Sequence, residues 1–269
     1  MVSNRKFGVE IEFTTSHNRE VIAQAMRDAG LNCNDEGYSH RDSETAWKVV
    51  HDGSCGEEMV SPILSGDEGL EQIEKVCTVL NLLGCEVNKN CGLHVHLDAR
   101  TLEPDQVIKV VAGYARYEGL FDALQPESRR RDNNGYCRSL RRLYFHRSKL
   151  GKFSLEDIRS DVFGNDRYYK LNLESLGRHG TIEFRQHSGT INAEKIINWI
   201  NLLMVFTEKV IETKATLMSV NVTLNSFKRH FGISRQHGDQ RIRNLANYLP
   251  VRLKELSNID ANTVIIAHA

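Results

Sequence analysis

A chain of 269 residues with 40% hydrophobic and 26% charged residues has the make-up of a soluble globular protein, large enough for one extensive core or two small domains. Lys+Arg and Asp+Glu both number 35, so formal net charge is zero and no global attraction to nucleic acid or to an anionic membrane is expected. No apolar run is long enough to span a bilayer, and Met1-Val-Ser-Asn-Arg-Lys6 leads straight into the first predicted strand. That leaves no room for a signal peptide and makes a cytoplasmic location the expectation.

The first predicted strand is Phe7-Gly-Val-Glu-Ile-Glu-Phe13. Side chains alternate between faces of a strand, so Glu10 and Glu12 point one way and Val9, Ile11 and Phe13 point the other, into a core. Glu20 to Ala29 has helical spacing, and Gly30 is a C-terminal stop. Residues 32–45 are polar and read as loop. Trp47 to Val50 is a short strand, Asp52-Gly53-Ser54 a turn, and Glu57 to Val60 a strand ended by Ser61-Pro62. Consecutive residues face opposite ways, so only one of Glu57 and Glu58 shares the face of Glu10 and Glu12: Glu58 with Val60 if Met59 is buried, Glu57 with Met59 if Val60 is buried, and the spacing alone does not choose between them. Leu70, Ile73, Val76, Cys77, Leu80 and Leu83 mark a helix with one apolar face, closed by Gly84.

Strands follow at Cys85–Asn88 and Gly92–Leu97, and Pro104 opens a helix that runs to about Leu124. Residues 126–166 are polar, basic and weakly periodic. Tyr168–Leu173 and Thr181–Gln186 read as strands, and Ala193 to about Thr213 as a long helix. The stretch from Asn225 to Leu256 is helical and basic. There is no internal repeat. The order implies an α+β fold: an antiparallel sheet with helices on its back. A catalytic domain over 1–215 is expected, with 216–269 a basic helical extension packed on it.

Three strands each pair an apolar face with a chemically loaded one. Glu10 and Glu12 share a face, as do His94 and His96 in Gly92-Leu-His-Val-His-Leu97, and Glu183, Arg185 and His187 in Gly180-Thr-Ile-Glu-Phe-Arg-Gln-His187. Like charges side by side on a strand repel, and a hard divalent cation relieves that repulsion through oxygen ligands. A lone His-x-His is ordinarily a hydrogen-bonded structural feature. The coincidence of three such faces points instead to a floor for divalent metal and a phosphorylated ligand.

Arg129-Arg-Arg-Asp-Asn-Asn-Gly-Tyr-Cys-Arg-Ser-Leu-Arg-Arg142 crowds guanidinium groups, whose forks suit phosphate oxygens. Arg131 and Arg138 are two helical turns apart and are the candidates from this run; His146 and Lys149 are weaker ones. Lys170 and Asn172 alternate with Tyr169 and Leu171 just before the Glu183 strand; they either line the cleft, as candidate nucleotide contacts, or face water. The six cysteines form no Cys-x-x-Cys pair, which argues against structural zinc and against a disulfide framework. Free thiols in a reducing compartment are expected, with Cys55 and Cys91 lying next to motifs. No Gly-x-x-x-x-Gly-Lys-Ser/Thr loop is present, so a nucleotide would be held by the sheet and arginines.

Gly8-Val-Glu-Ile-Glu12, Trp47…Asp52-Gly-Ser…Glu58-Met-Val-Ser-Pro62, Cys91-Gly-Leu-His-Val-His96, Leu171-Asn172 and Thr181-Ile-Glu-Phe-Arg-Gln-His…Gly189-Thr190 occur in that order. Together they resemble the amidoligase family of the carboxylate–amine ligase superfamily, which also holds glutamine synthetase and glutamate–cysteine ligase. The resemblance spans residues 5–205. It implies a curved antiparallel sheet of glutamine synthetase type, helices on its convex face, and ATP with two or more Mg²⁺ or Mn²⁺ ions on the concave face. The implied reaction sends the γ-phosphoryl of ATP to a substrate carboxylate, after which an amine attacks the acyl phosphate to give an amide.

By the same resemblance the metal ligands are Glu10, Glu12, Glu58, His94 and Glu183, with His96 a phosphate contact and Arg185 on the transferring phosphoryl. On the reading of the residues themselves, Arg131, Lys170 and Asn172 join His96 and Arg185 as candidates to hold the nucleotide, and Arg138 and Asp52 join Arg185 and Glu183 as the candidate catalytic set. The expected partners are a carboxylate and an amine substrate, small or macromolecular, with no membrane, and an oligomer is open, as in the ring-forming relatives. A kinase of the same fold, a metal-dependent hydrolase and a non-catalytic binding protein are the competing readings. Amide product separates the ligase from the kinase, and ATP-independent turnover marks the hydrolase.

Overall fold

The computed structural model describes residues 4–37, 45–140, 154–157, 159–160, 163–213 and 222–265. These divide into two compact units. One takes Asn4–Asp98 with His187–Ile200; the other takes the described residues within Ala99–Gln186 and Asn201–Ala269.

The first unit holds β1 (Phe7–Phe13), α1 (Arg19–Asp28), β2 (Cys33–Gly37), β3 (Trp47–Asp52), β4 (Gly56–Val60), α2 (Gly66–Leu82) and β5 (Gly92–Asp98). Its strands lie in the order β2-β3-β4-β1-β5. The β3–β4, β4–β1 and β1–β5 pairs are antiparallel, and β2–β3 is parallel. One face is apolar: Phe7, Val9, Ile11, Phe13, Trp47, Val49, Met59, Leu93, Val95 and Leu97 are all buried. Against it lie the apolar stripes of α1 (Ile22, Ala23, Met26) and α2 (Ile73, Val76, Cys77, Leu80). The indole Nε1 of Trp47 donates to Gln72 Oε1 on α2 at 2.9 Å, which ties helix to sheet. α1 starts where Asn18 Oδ1 accepts from Val21 N at 3.0 Å, satisfying a helix-end donor that has no partner of its own in the helix.

β2 corrects the expectation of loop over 32–45. Its sequence, Cys-Asn-Asp-Glu-Gly, has no β-branched or aromatic residue, so propensity gives no sign of it. It forms because β3 offers an edge: Cys33 pairs with Trp47 and Asn34 with Lys48. The strand expected at 85–88 is instead a single bridge between Thr14 and Glu86.

The second unit holds α3 (Pro104–Ala123), α4 (Leu155–Asp157), β6 (Leu171–Asn172), α5 (Glu174–His179), α7 (Leu224–His230) and α8 (Gln240–Ser257). β7 (Thr181–Ser188) and α6 (Ala193–Glu212) each have residues in both units. β6 and β7 are antiparallel, with Leu171 opposite Phe184 and Asn172 opposite Glu183. The core here is aromatic. Tyr114 stacks on Phe121 at 4.4 Å, Phe121 meets Phe206 edge-on at 5.3 Å, and Tyr117 meets Phe227 edge-on at 5.2 Å. The helical, basic stretch expected over 225–256 consists of two helices, α7 and α8, separated by residues 231–239, with Gly232 at φ +69°.

The fold is therefore mixed α and β with mostly antiparallel strand pairs. Among the described residues no helix is long and apolar enough to cross a membrane.

Candidate active site

Strand register brings the charged side chains of the first unit together. In the β4-β1-β5 ribbon, Glu12 lies opposite Glu58 and Glu10 lies opposite His94, with His96 opposite Gly8. Met59 is fully buried, so Glu58 falls on the same face as Glu10 and Glu12, and the ambiguity between Glu57 and Glu58 is resolved. Glu57 is on the other face, with Arg19 Nη1 at 3.4 Å and His51 Nδ1 at 3.8 Å. On that face it serves an ion-pair cluster completed by Asp35, 3.0 Å from Arg19 Nε.

One ligand atom each from Glu10, Glu58 and His94 lie within 4.8 Å of one another, a grouping that can hold a metal ion. Two carboxylates and an imidazole suit a hard or borderline divalent cation such as Mg²⁺ or Mn²⁺. The surrounding contacts orient these ligands. His94 Nδ1 is 2.8 Å from Glu10 Oε2, His94 Nε2 is 3.5 Å from Glu12 Oε1, and His96 Nε2 is 3.3 Å from Glu10 Oε1. The backbone N–H of Gly92 donates to Glu12 Oε2 at 2.6 Å. A Cβ at position 92 would come within 3.0 Å of His94 Nε2 and 3.5 Å of both Glu12 oxygens, so a side chain there would press the His94 ring away from its place over the strand. Burial pushes the Glu10 carboxyl up, but hydrogen bonds and charge from His94 and His96 outweigh it and hold Glu10 well below the usual carboxylate range. Glu10 is thus ionised and ready to ligate.

Asp52, expected in the catalytic set, closes the β3–β4 turn: its Oδ1 accepts from Ser54 N at 2.8 Å and Cys55 N at 2.9 Å. Burial raises its carboxyl, and the bonds from Ser54 and Cys55 with the His94 charge bring it below its ordinary value. Cys55, in that turn, is joined to Cys91 by a disulfide, with Cα atoms 5.2 Å apart. This corrects the expectation of free thiols at these two positions. Cys33, Cys77, Cys85 and Cys137 are free and buried.

In the second unit, Glu183 is 4% exposed. Its Oε2 accepts from Asn172 Nδ2 at 2.6 Å and its Oε1 pairs with the Arg185 guanidinium. Asn172 is itself fixed, its Oδ1 accepting from Glu174 N at 2.7 Å. Arg138 pairs with Asp166 and lies over the Tyr169 ring at 4.5 Å. Arg131 is exposed, with φ +49°, and its N–H donates to Asp122 Oδ2 at 3.0 Å.

Lys170 is corrected from a nucleotide contact to an interior ion-pair residue. Its side chain is fully buried, and Nζ bonds Glu118 Oε1 at 2.8 Å and Asp122 Oδ1 at 2.5 Å. Its backbone pairs with the candidate strand, where Lys170 O accepts from Arg185 N at 2.8 Å. Gln186 Nε2 donates to the same Asp122 oxygen at 2.6 Å, and Ser139 Oγ to Glu118 Oε1 at 2.6 Å.

Sequence reasoning passed over Lys48, Glu118 and Asp122. Lys48 is 3% exposed, opposite Val60 and so on the face of Glu58, with Glu36 Oε2 4.0 Å away. Counting back by twos from Asp52 would have found it. Glu118 and Asp122, four apart among the apolar residues of the second half of α3, carried a legible signal as well. Arg141, Arg142, His146 and Lys149 lie outside the described residues.

Residues 3–207 match the model of the family described as "Putative amidoligase enzyme". No curated protein matches the sequence. Among solved structures, the chain is similar to one in the crystal structure of the complex between the prokaryotic ubiquitin-like protein Pup and its ligase PafA. The likeness has a TM-score of 0.44 at 9% identity and covers 95% of this chain; this chain spans 64% of that one.

Proposed function

We propose that this chain, which belongs to the amidoligase enzyme family through its residues 3–207, is an ATP-dependent ligase that joins a carboxylate to an amine. The observation that carries the reading is the grouping of Glu10, Glu58 and His94 on one face of the β4-β1-β5 ribbon, inside the region that places the chain in the family. A ligase of this chemistry activates the carboxylate as an acyl phosphate, which the amine then attacks, releasing phosphate and leaving an amide. Positioning and charge neutralisation, rather than covalent help from the protein, lower the barrier for such a phosphoryl transfer.

The residues divide accordingly. Glu10, Glu58 and His94 would hold a divalent cation, with Glu12 the adjoining carboxylate. The cation, when bound, supplies neutralisation of phosphate charge. In the second unit Glu183 is assigned to a cation, oriented by Asn172, and Arg185 to the transferred phosphoryl, where its fork matches two oxygens at once. His96 is assigned to phosphate. Arg131 and Arg138 are the further cations offered to the nucleotide, and Asp52 organises the turn that leads into the Glu58 strand.

The test is ATP binding and turnover with and without Mg²⁺ or Mn²⁺, in wild type and Glu183→Ala, followed by a screen of carboxylate and amine pairs for ADP release with amide product. Metal-dependent nucleotide binding that the variant loses, and amide formation, are expected. No nucleotide binding under any metal condition sinks the reading. A stable phosphorylated product without amide replaces it with a kinase.

A further inference from the structure

The Cys55–Cys91 disulfide stands in a particular relation to the three grouped ligands. Cys55 precedes Glu58 by three residues at the start of β4, and Cys91 precedes His94 by three residues at the start of β5. Those two strands are not neighbours. They flank β1, which carries Glu10, in the order β4-β1-β5. Strands separated by one other lie about 9.6 Å apart, twice the ~4.8 Å interstrand spacing. The Cα atoms of Cys55 and Cys91 are 5.2 Å apart, so the bridge draws the ends of the two outer strands together past the end of the middle one.

Both cysteines are also wired to the floor by their neighbours. Cys55 N donates to Asp52, and the residue after Cys91, Gly92, donates to Glu12 at 2.6 Å. On the opposite side Cys91 O accepts from Gly189 N at 2.8 Å, which holds the start of β5 in place.

We propose that this disulfide is a redox-controlled clamp on the metal floor: oxidised, it fixes the spacing of Glu58 and His94 about Glu10, and reduced, it releases that spacing and weakens cation binding. The proposal rests on the metal reading of the preceding subsection. Its physical basis is preorganisation. A cation gains full benefit from ligands already held at their bound spacing, and part of the binding free energy is lost when a loose set must be ordered. Supporting contacts around metal ligands typically change affinity about 10- to 100-fold when removed, and that is the size expected here.

The chemistry is directional. Cys91 is buried and Cys55 is partly exposed, so an external thiolate reaches the Cys55 sulfur. Attack there forms a mixed disulfide with Cys55 and expels Cys91 as a thiolate, which takes up a proton. With a dithiol reductant, its second thiol then displaces Cys55 and closes to a cyclic disulfide, so the protein gains two electrons and two protons and the dithiol loses them.

The experiment titrates Mn²⁺ into full-length protein by electron paramagnetic resonance. It compares oxidised protein, protein reduced with dithiothreitol and desalted under anaerobic conditions, the reduced protein reoxidised with oxidised glutathione, which takes up the two electrons and two protons and leaves as two thiols, and Cys55→Ser/Cys91→Ser, with circular dichroism on each. The expected result is affinity about 10- to 100-fold weaker on reduction, restored by reoxidation, with the double variant weak in either state and its circular dichroism unchanged. Glutathione under limiting conditions should leave its adduct on Cys55, located by peptide mass spectrometry. Equal affinity in oxidised and reduced protein, while Glu10→Ala abolishes binding, overturns the clamp and leaves the metal reading standing. Tighter binding after reduction also overturns it. Failure of oxidised wild type to bind Mn²⁺ overturns the metal reading itself, and the clamp with it.

Discussion

Replacing Lys170 with methionine separates an interior ion pair from a nucleotide contact. The ammonium is fully buried and compensates Glu118, itself 0% exposed on its side chain, and Asp122 at 9%. Lys170→Met keeps most of the volume and leaves two carboxylates one helical turn apart in the interior of the second unit. Breaking a buried pair by removing one partner costs roughly 3–5 kcal/mol, because the remaining charge stays desolvated. The lower end applies here, since each carboxylate keeps two other donors. Glu118 accepts from Ser139 Oγ at 2.6 Å and Leu140 N at 2.9 Å, and Asp122 from Gln186 Nε2 at 2.6 Å and Arg131 N at 3.0 Å. About 3 kcal/mol is a large share of the 5–15 kcal/mol typical of a folded protein.

The assay is urea unfolding followed by circular dichroism and by tryptophan fluorescence. The companion variant Lys170→Met/Glu118→Gln removes one of the two stranded charges and should recover part of the loss, with a coupling of about 1–3 kcal/mol. A destabilisation of Lys170→Met under about 1 kcal/mol, together with weakened ATP binding, would refute the interior role and return Lys170 to the nucleotide.

Other outcomes follow from the same geometry. Gly92→Ala puts a methyl 3.0 Å from His94 Nε2 and should lower Mn²⁺ affinity at least tenfold with little change in melting temperature; unaltered affinity by resonance titration counts against the His94–Glu12 arrangement. Burial pushes the Cys33 and Cys77 thiols up to about 12, and Cys85 and Cys137 upward as well. At pH 8 only about one in ten thousand of the Cys33 and Cys77 thiols is thiolate, so native protein should give almost no reaction with Ellman's reagent and four thiols after denaturation without reductant. Rapid labelling of the native chain would show that these side chains are not packed as described. Arg185→Lys replaces a fork by a point charge and should lower turnover more than ATP affinity; equal losses in kcat and binding would mark a ground-state contact instead.

Alternation within one strand reports which residues share a face, and nothing about which residues on other strands lie beside them. That is why the common face of Glu10 and Glu12 is readable from seven residues, whereas the pairing of Glu10 with His94 and of Glu12 with Glu58 is a matter of register fixed by the whole ribbon. The Glu57/Glu58 ambiguity has the same origin: both Met59 and Val60 are apolar, and only the burial of Met59 against the helices decides it. β2 escaped because its residues have no intrinsic preference for a strand and take their conformation from the free edge of β3. Lys170 misled because alternation with Asn172 assigns it to the floor, while a long side chain just outside β6 reaches carboxylates on α3 that are some fifty residues away in sequence. The disulfide joins positions 36 apart with no spacing signature, since its geometry depends on two strands that flank a third. The same fact gives it leverage: a cross-link between neighbouring strands would duplicate what their hydrogen bonds already fix, whereas one that spans β1 constrains the distance between Glu58 and His94, which no single ladder sets.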